Sequence, residues 1–180
     1  IAGGLALDRV LVNAVSDNFD DQMEYVLTAM LASAEIGPDG EVRLNRPLGD
    51  QRFLEPNSGL YWQISGKGKM AFPSRSLWDR TLRVDLSHTD SKPHFRNSAE
   101  FDGEPLRIVE RAIVLPDSET RWIFMVAQSR ESLDAQITEL RTVLATAFAV
   151  LAFGLIIMAA LQTFYGLWPL RDVRREIAAM

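Results

Sequence analysis

The sequence predicts an α+β protein with a long N-terminal helix, a central antiparallel sheet and an apolar C-terminal helix of membrane-spanning length. Three observations carry that expectation. Apolar residues recur at helical spacing between Asp8 and Glu35. Short runs rich in β-branched and aromatic residues, separated by turn residues, fill 60–127. The 29 residues from Thr142 to Leu170 contain no charged side chain.

In the first helix, Val12, Val15, Phe19, Met23, Val26 and Met30 recur at three- and four-residue steps and share one face. Gly37-Pro38-Asp39-Gly40 stops it with turn chemistry, and Glu41 to Ser58, with scattered Pro, Gly and Asn, reads as irregular. Leu60 to Ser65 is a strand signal, Gly66-Lys67-Gly68-Lys69 a turn, and Met70 to Ser74 the partner that pairs back. Gly66 to Lys69 lacks the frame of a phosphate-binding loop, so a hairpin turn explains it. A short helix around Trp78 is expected over Ser76 to Leu82, then a polar loop from Asp85 to Pro93. His94 to Phe101 and Pro105 to Leu115 flank Asp102-Gly103, a hairpin signal. After the turn Pro116 to Glu119, Arg121 to Ala127 reads as a central strand. Ser129 or Ser132 caps a helix whose Leu133, Ile137 and Leu140 lead into the apolar segment. Trp62, Trp78 and Trp122 are expected in the core or lining a pocket.

Thr142 to Leu167, as a helix, measures roughly 39 Å, enough to cross a ~30 Å hydrocarbon layer with some tilt. Core helices of soluble proteins rarely run so long without a charge. Tyr165 and Trp168 stand where interfacial aromatics belong. Arg171, Arg174 and Arg175 follow the span, whereas residues 1–140 hold 15 Lys and Arg against 22 Asp and Glu, a net of −7. The positive-inside bias therefore puts the C-terminal end in the cytoplasm and residues 1–141 outside it. The same acidity excludes a basic nucleic-acid-binding body, and no nucleic-acid partner is expected. Absence of cysteine excludes a disulfide framework and thiolate metal sites. The first residue is not Met, so the chain reads as a piece of a longer protein. Apolar Ile1 to Leu7 is either the exit of a preceding span or the start of the first helix.

Asp17, Asp20, Asp21 and Glu24 fall within about 100° of one helix face. Two readings compete: a divalent-cation site, since Ca²⁺ and Mg²⁺ take oxygen ligands, and a solvated face opposite a buried one. Asp85, His88, Asp90 and His94 are of metal-ligand type, but their spacing matches no closed site, and ordinary loop polarity explains them better. Past the span, Pro169 lacks an N–H and crowds the carbonyl of Tyr165, so a bend is expected there. Gly166 eases that bend and Trp168 fixes its depth; these three are the candidate signal-relay residues.

Gly59-Leu60-Tyr61-Trp62-Gln63-Ile64-Ser65 followed by Ser74-Arg75-Ser76-Leu77-Trp78-Asp79 resembles the periplasmic sensor region of PhoQ-like bacterial two-component histidine kinases. Asp102 to Arg107 and Glu110-Arg111 fit the same pattern, and Tyr165 to Arg171 resembles the junction of a second transmembrane helix with a HAMP linker. The resemblance implies a PAS-like, PDC-type extracytoplasmic sensor: 1–7 the end of a first transmembrane helix, 8–140 the sensor domain, 141–168 a transmembrane helix, 169–180 the start of the HAMP linker. It implies a bacterial inner-membrane homodimer with its sensor in the periplasm and a small molecule or divalent cation as signal. It also implies a cytoplasmic kinase core using ATP and Mg²⁺, acting on a cognate response regulator. These residues hold neither a phosphoacceptor-His motif nor a nucleotide-binding glycine box, so no catalytic residue or cofactor is expected within them. Two alternatives remain: the same sensor feeding a diguanylate cyclase or chemoreceptor, and a membrane-anchored binding domain. The dimer seam is expected on the first helix, in its half around Val12 and Val15, and on the membrane helix.

Overall fold

The computed structural model describes residues 2–85, 87, 90–116 and 118–166. They fall into two units, one through Ala135 and one from Gln136. In the first, five strands pair antiparallel throughout. They are β3 (Leu60–Gly66), β4 (Phe72–Pro73), β5 (His94–Phe101), β6 (Glu104–Val114) and β7 (Arg121–Ser129), in spatial order β4-β3-β7-β6-β5. The last strand in sequence thus lies in the middle. β7 pairs β3 from Leu60↔Gln128 to Gly66↔Trp122, and pairs β6 from Leu106↔Ser129 to Val114↔Arg121.

Period-two alternation gives this sheet two buried faces. On one lie Trp62, Ile64, Trp122, Phe124, Val126 and Val109, all buried. Helix α1 (Ala2–Ser33) packs against β6 and β7 and buries Phe19, Met23, Leu27 and Met30. On the other, Tyr61, Met125, Ala127, Leu106, Ile108 and Phe101 form a cluster with Leu77 and Leu82 from the segment between β4 and β5. A helix covering one face and an irregular segment covering the other make a PAS-like α+β domain, as the sequence led us to expect.

Turn chemistry sets the hairpins. Gly103 (φ 72°) takes the left-handed conformation between β5 and β6, where Phe101 faces Glu104. At the β3–β4 turn the Lys69 N–H donates to the Gly66 carbonyl at 3.0 Å. Gly66 must stay without a side chain, because a Cβ there would lie 2.7 Å from the Trp122 ring.

Three local expectations change. The first helix ends at Ser33, not Glu35, and Ala34–Ile36 (β1) pairs with Val42–Leu44 (β2) around the Gly37–Gly40 turn. The stretch 41–58 is therefore not wholly irregular; it also holds a 3-10 turn at Gln51–Leu54, capped by the Asp50 carboxylate. Third, the expected helix over Ser76 to Leu82 shrinks to a 3-10 turn at Arg75–Leu77. Trp78 adopts φ 56° and ends it, and the Gln63 side chain captures Leu82. The Leu82 N–H donates to Gln63 Oε1 at 2.9 Å while Gln63 Nε2 donates to the Leu82 carbonyl at 3.0 Å. Gln63 thereby serves both backbone groups of Leu82 as a neighbouring strand would, which satisfies them inside the core.

Helix α2 (Glu131–Gly166) starts where the Ser129 hydroxyl accepts from the Glu131 N–H at 3.3 Å. From Glu131 to Phe164 it is long and apolar enough to cross a membrane, with none of its most apolar stretch buried. Three hydroxyls in its apolar part need no outside partner. Thr142, Thr146 and Thr163 donate to the carbonyls of Thr138, Thr142 and Ala159 at 2.9, 2.8 and 2.9 Å.

Candidate signal-input site

A dense polar constellation lies where the covering segment meets the sheet. Tyr61 on β3 donates its hydroxyl proton to Glu104 Oε1 at 2.8 Å. That hydroxyl accepts from the Gly59 N–H at 3.0 Å and from Arg80 Nη2 at 2.8 Å, filling its hydrogen-bonding capacity. Arg80 Nη1 closes the triangle on Glu104 Oε2 at 3.0 Å. The guanidinium lies 4.1 Å from the Phe101 ring centre and 5.0 Å from that of Tyr61, a cation–π geometry. Its Nε is buried and makes no hydrogen bond. Burial, and then the bond to Glu104, push the Tyr61 phenol above its ordinary pKa. The triad ties three elements together: the start of β3, the hairpin end of β6 and the covering segment.

Beside it opens a groove of about 400 Å³. Its walls are the turn Asn57–Gly59, Arg52, Glu104, the end of β7 at Gln128 and Ser129, and the first residues of α2 up to Ala135. Asn57 and Gly59 both take left-handed conformations, with φ 56° and 83°. A second, apolar pocket of about 290 Å³ lies among Leu44, Leu48, Phe53, Trp62 and Phe72.

On the opposite face of the sheet one ion pair joins it to α1. Arg107 of β6 holds Asp20 through Nε at 2.9 Å and Nη2 at 2.6 Å, and its Nη1 donates to Asn97 at 3.0 Å. The Asp20 bond, outweighing burial, raises the Arg107 pKa. Both side chains are less than a quarter exposed. Replacing Asp20 by Asn and Arg107 by Gln, singly and together, is expected to show a coupling of about 1–2 kcal/mol in a double-mutant cycle read by denaturant unfolding. Additive effects would mean the bidentate pair is broken in solution.

The sequence-derived candidates fall as follows. Of the acidic set, Asp20 turns to the sheet, Asp17 and Asp21 are exposed, and Glu24 is half-buried. Asp85, Asp90 and His94 line a cavity of about 10 Å³ with Glu110, and His94 Nε2 contacts the Asp90 carboxylate. His88 lies outside the described residues. Among the described residues, no three or more such side chains are grouped to hold a metal ion. Trp122 is fully buried and Trp62 lines the apolar pocket, but Trp78, expected inside, is 71% exposed at the end of the 3-10 turn, where its backbone takes φ 56°. Gly166 is the last residue of α2, while Trp168 and Pro169 lie outside the described residues.

Sequence reasoning did not single out Tyr61, Arg80, Glu104 and Arg107. A signal existed for one of them. Period-two parity puts Tyr61 beside Gln63 on one face of β3, giving a strand with two polar tips and hence two internal partners. Arg80 lies in irregular chain, where no periodicity assigns a face.

No curated protein and no solved structure matches this chain. The model for the N-terminal region of two-component sensor kinases matches residues 1–140 and covers α1, the whole sheet and the opening turns of α2; the chain belongs to that family.

Proposed function

We propose that this chain is the stimulus-sensing and membrane-spanning portion of a two-component sensor histidine kinase. The single observation that carries the reading is the family match over residues 1–140. The apolar exterior of α2 supports a membrane-spanning role. In this reading the sheet domain lies in the periplasm of a bacterial inner-membrane homodimer. A change at its polar sites moves the first turn of α2, and the helix carries that displacement toward Gly166, Trp168 and Pro169, the entry to a HAMP linker. A cytoplasmic core then uses ATP and Mg²⁺ to phosphorylate its own histidine and passes the group to a response regulator. The PhoQ-like relationship and the PDC subtype belong to this proposal, as does a divalent cation among the candidate signals.

The test has two parts. The full-length protein, incubated with ATP in membranes, is expected to acquire acid-labile phosphate, the mark of phosphohistidine. Because these 180 residues contain no cysteine, one introduced at exposed Ser91 of this chain reports topology cleanly. A membrane-impermeant maleimide is expected to label it in intact spheroplasts. Labelling only after permeabilisation would invert the topology, and no phosphate incorporation would remove the kinase reading.

A further inference from the structure

We propose that the groove between the Asn57–Gly59 turn and the first turn of α2 binds a small uncharged polyol. The proposal rests on the sensing role above and names the stimulus class at one site.

Volume argues first. About 400 Å³ is within the range of small-molecule sites and far larger than a single metal ion needs. Charge argues second. Arg52 is committed to Asp50 through three hydrogen bonds of 2.7–3.2 Å. Glu104 is committed to Tyr61 and Arg80. Glu131 stands in the first turn of α2, where the positive end of the helix dipole offsets part of its charge. Arg52 and Glu104 are thus paired before a ligand arrives. An anion finds no uncommitted cation, and an organic cation gains only an exposed, partly offset carboxylate.

Unused hydrogen-bonding capacity argues third. Among the described residues, the side chains of Asn57, Gln128 and Ser132 make no hydrogen bond, and the Ser129 hydroxyl accepts one while its proton is uncommitted. These are amides and hydroxyls, each able both to donate and to accept. A ligand dense in hydroxyl groups matches that set, because each of its groups also does both. Among the described residues no aromatic ring lines the groove, so recognition is by edge-on hydrogen bonding rather than stacking.

The position of the groove gives binding a consequence. One wall is the first turn of α2; the other includes Gly59 and Glu104, members or neighbours of the Tyr61–Arg80 triad. A polyol bridging Ser132 to the Asn57–Gly59 turn draws α2's first turn toward the sheet edge.

Binding is tested on the chain itself in detergent micelles, by ligand-observed NMR titration, with ribitol and trehalose as neutral probes and succinate and spermidine as charged ones. A saturable interaction with ribitol or trehalose is expected below about 10 mM. Ser132→Trp, which fills the groove from an exposed helical position, is expected to weaken it more than tenfold with an unchanged unfolding midpoint. Ala135→Phe from the same wall repeats the block should Ser132→Trp misfold, and Asn57→Ala is expected to weaken binding severalfold. Three results would overturn the proposal: saturable binding of succinate or spermidine instead, unchanged affinity in both groove-filling variants, or no neutral probe bound. None of these readings involves phosphate transfer or topology, so this site and the kinase reading fail separately.

Discussion

Arg80→Met is expected to lower the unfolding free energy by about 2–4 kcal/mol, with Glu104→Gln and Tyr61→Phe each lowering it by about 1–2. The ranking follows from what each change leaves behind. Without Arg80, the Glu104 carboxylate, only 22% exposed, keeps Tyr61 as its one donor, and the stacking over Phe101 goes as well. Glu104→Gln removes the negative charge but preserves shape and an acceptor oxygen. Tyr61→Phe leaves the Gly59 N–H without its acceptor and takes one bond from each of Arg80 and Glu104. The double variant Arg80→Met with Glu104→Gln is expected to lose about 1–2 kcal/mol less than the sum, because the second change acts on a pair already broken. Denaturant unfolding of the chain in detergent, followed by tryptophan fluorescence, measures all four; strict additivity would show that the three side chains do not act as a unit.

The same triad has a pH signature. The Tyr61 phenol keeps its proton in the folded protein to a higher pH than in the unfolded chain. Above the ordinary tyrosine value, about 10, the unfolded state binds fewer protons than the folded one, so stability falls as pH rises. Below it the contribution is complete. The destabilisation caused by Tyr61→Phe is therefore expected to be constant through neutral pH and to shrink as pH rises past about 10. Other basic groups titrate there too, but they are common to both proteins and cancel in the difference.

Legibility in the sequence tracks periodicity. The helix around Met23 and the strands at Leu60, His94 and Arg121 announce themselves because one buried face imposes a 3.6- or 2-residue repeat. The hairpin at Asp102-Gly103 shows through the left-handed turn it demands. Where the chain is held by side chains rather than by its own backbone ladder, the pattern fails. Leu82 is fixed by Gln63, nineteen residues earlier, and the Trp78 backbone turns against its own preference, so the stretch reads as a helix that is not there. The acidic face of α1 shows how a site is half legible. Asp20 lies at about 60° from Met23 around the helix, Asp21 at about 160°. The angle puts Asp20 at the edge of the buried stripe, but only the pairing of β6 in the sheet reveals that Arg107 waits there. Pairings across distant elements, such as Arg80 with Glu104, have no local signature at all.

Leu155→Arg is expected to abolish stable membrane integration. Leu155 is 64% exposed on α2. By helical rise it lies about 20 Å from Thr142 and about 17 Å from Gly166, near the middle of the uncharged run, where arginine has the farthest to snorkel. On the insertion scale, arginine at a helix centre costs about 2.5–3.5 kcal/mol and leucine contributes about −0.5, a swing of roughly 3–4 kcal/mol. That is a factor of roughly 150 to 900 in the membrane partition. Gln136→Arg, also exposed but outside the uncharged run, makes the same chemical change where water is close, and is expected to integrate normally. Alkaline extraction of membranes separates the outcomes: Leu155→Arg in the supernatant, Gln136→Arg and the parent chain in the pellet. Both variants extracted alike would mean that the length of α2 serves packing in a soluble assembly, since only a hydrocarbon environment discriminates the two arginines by depth.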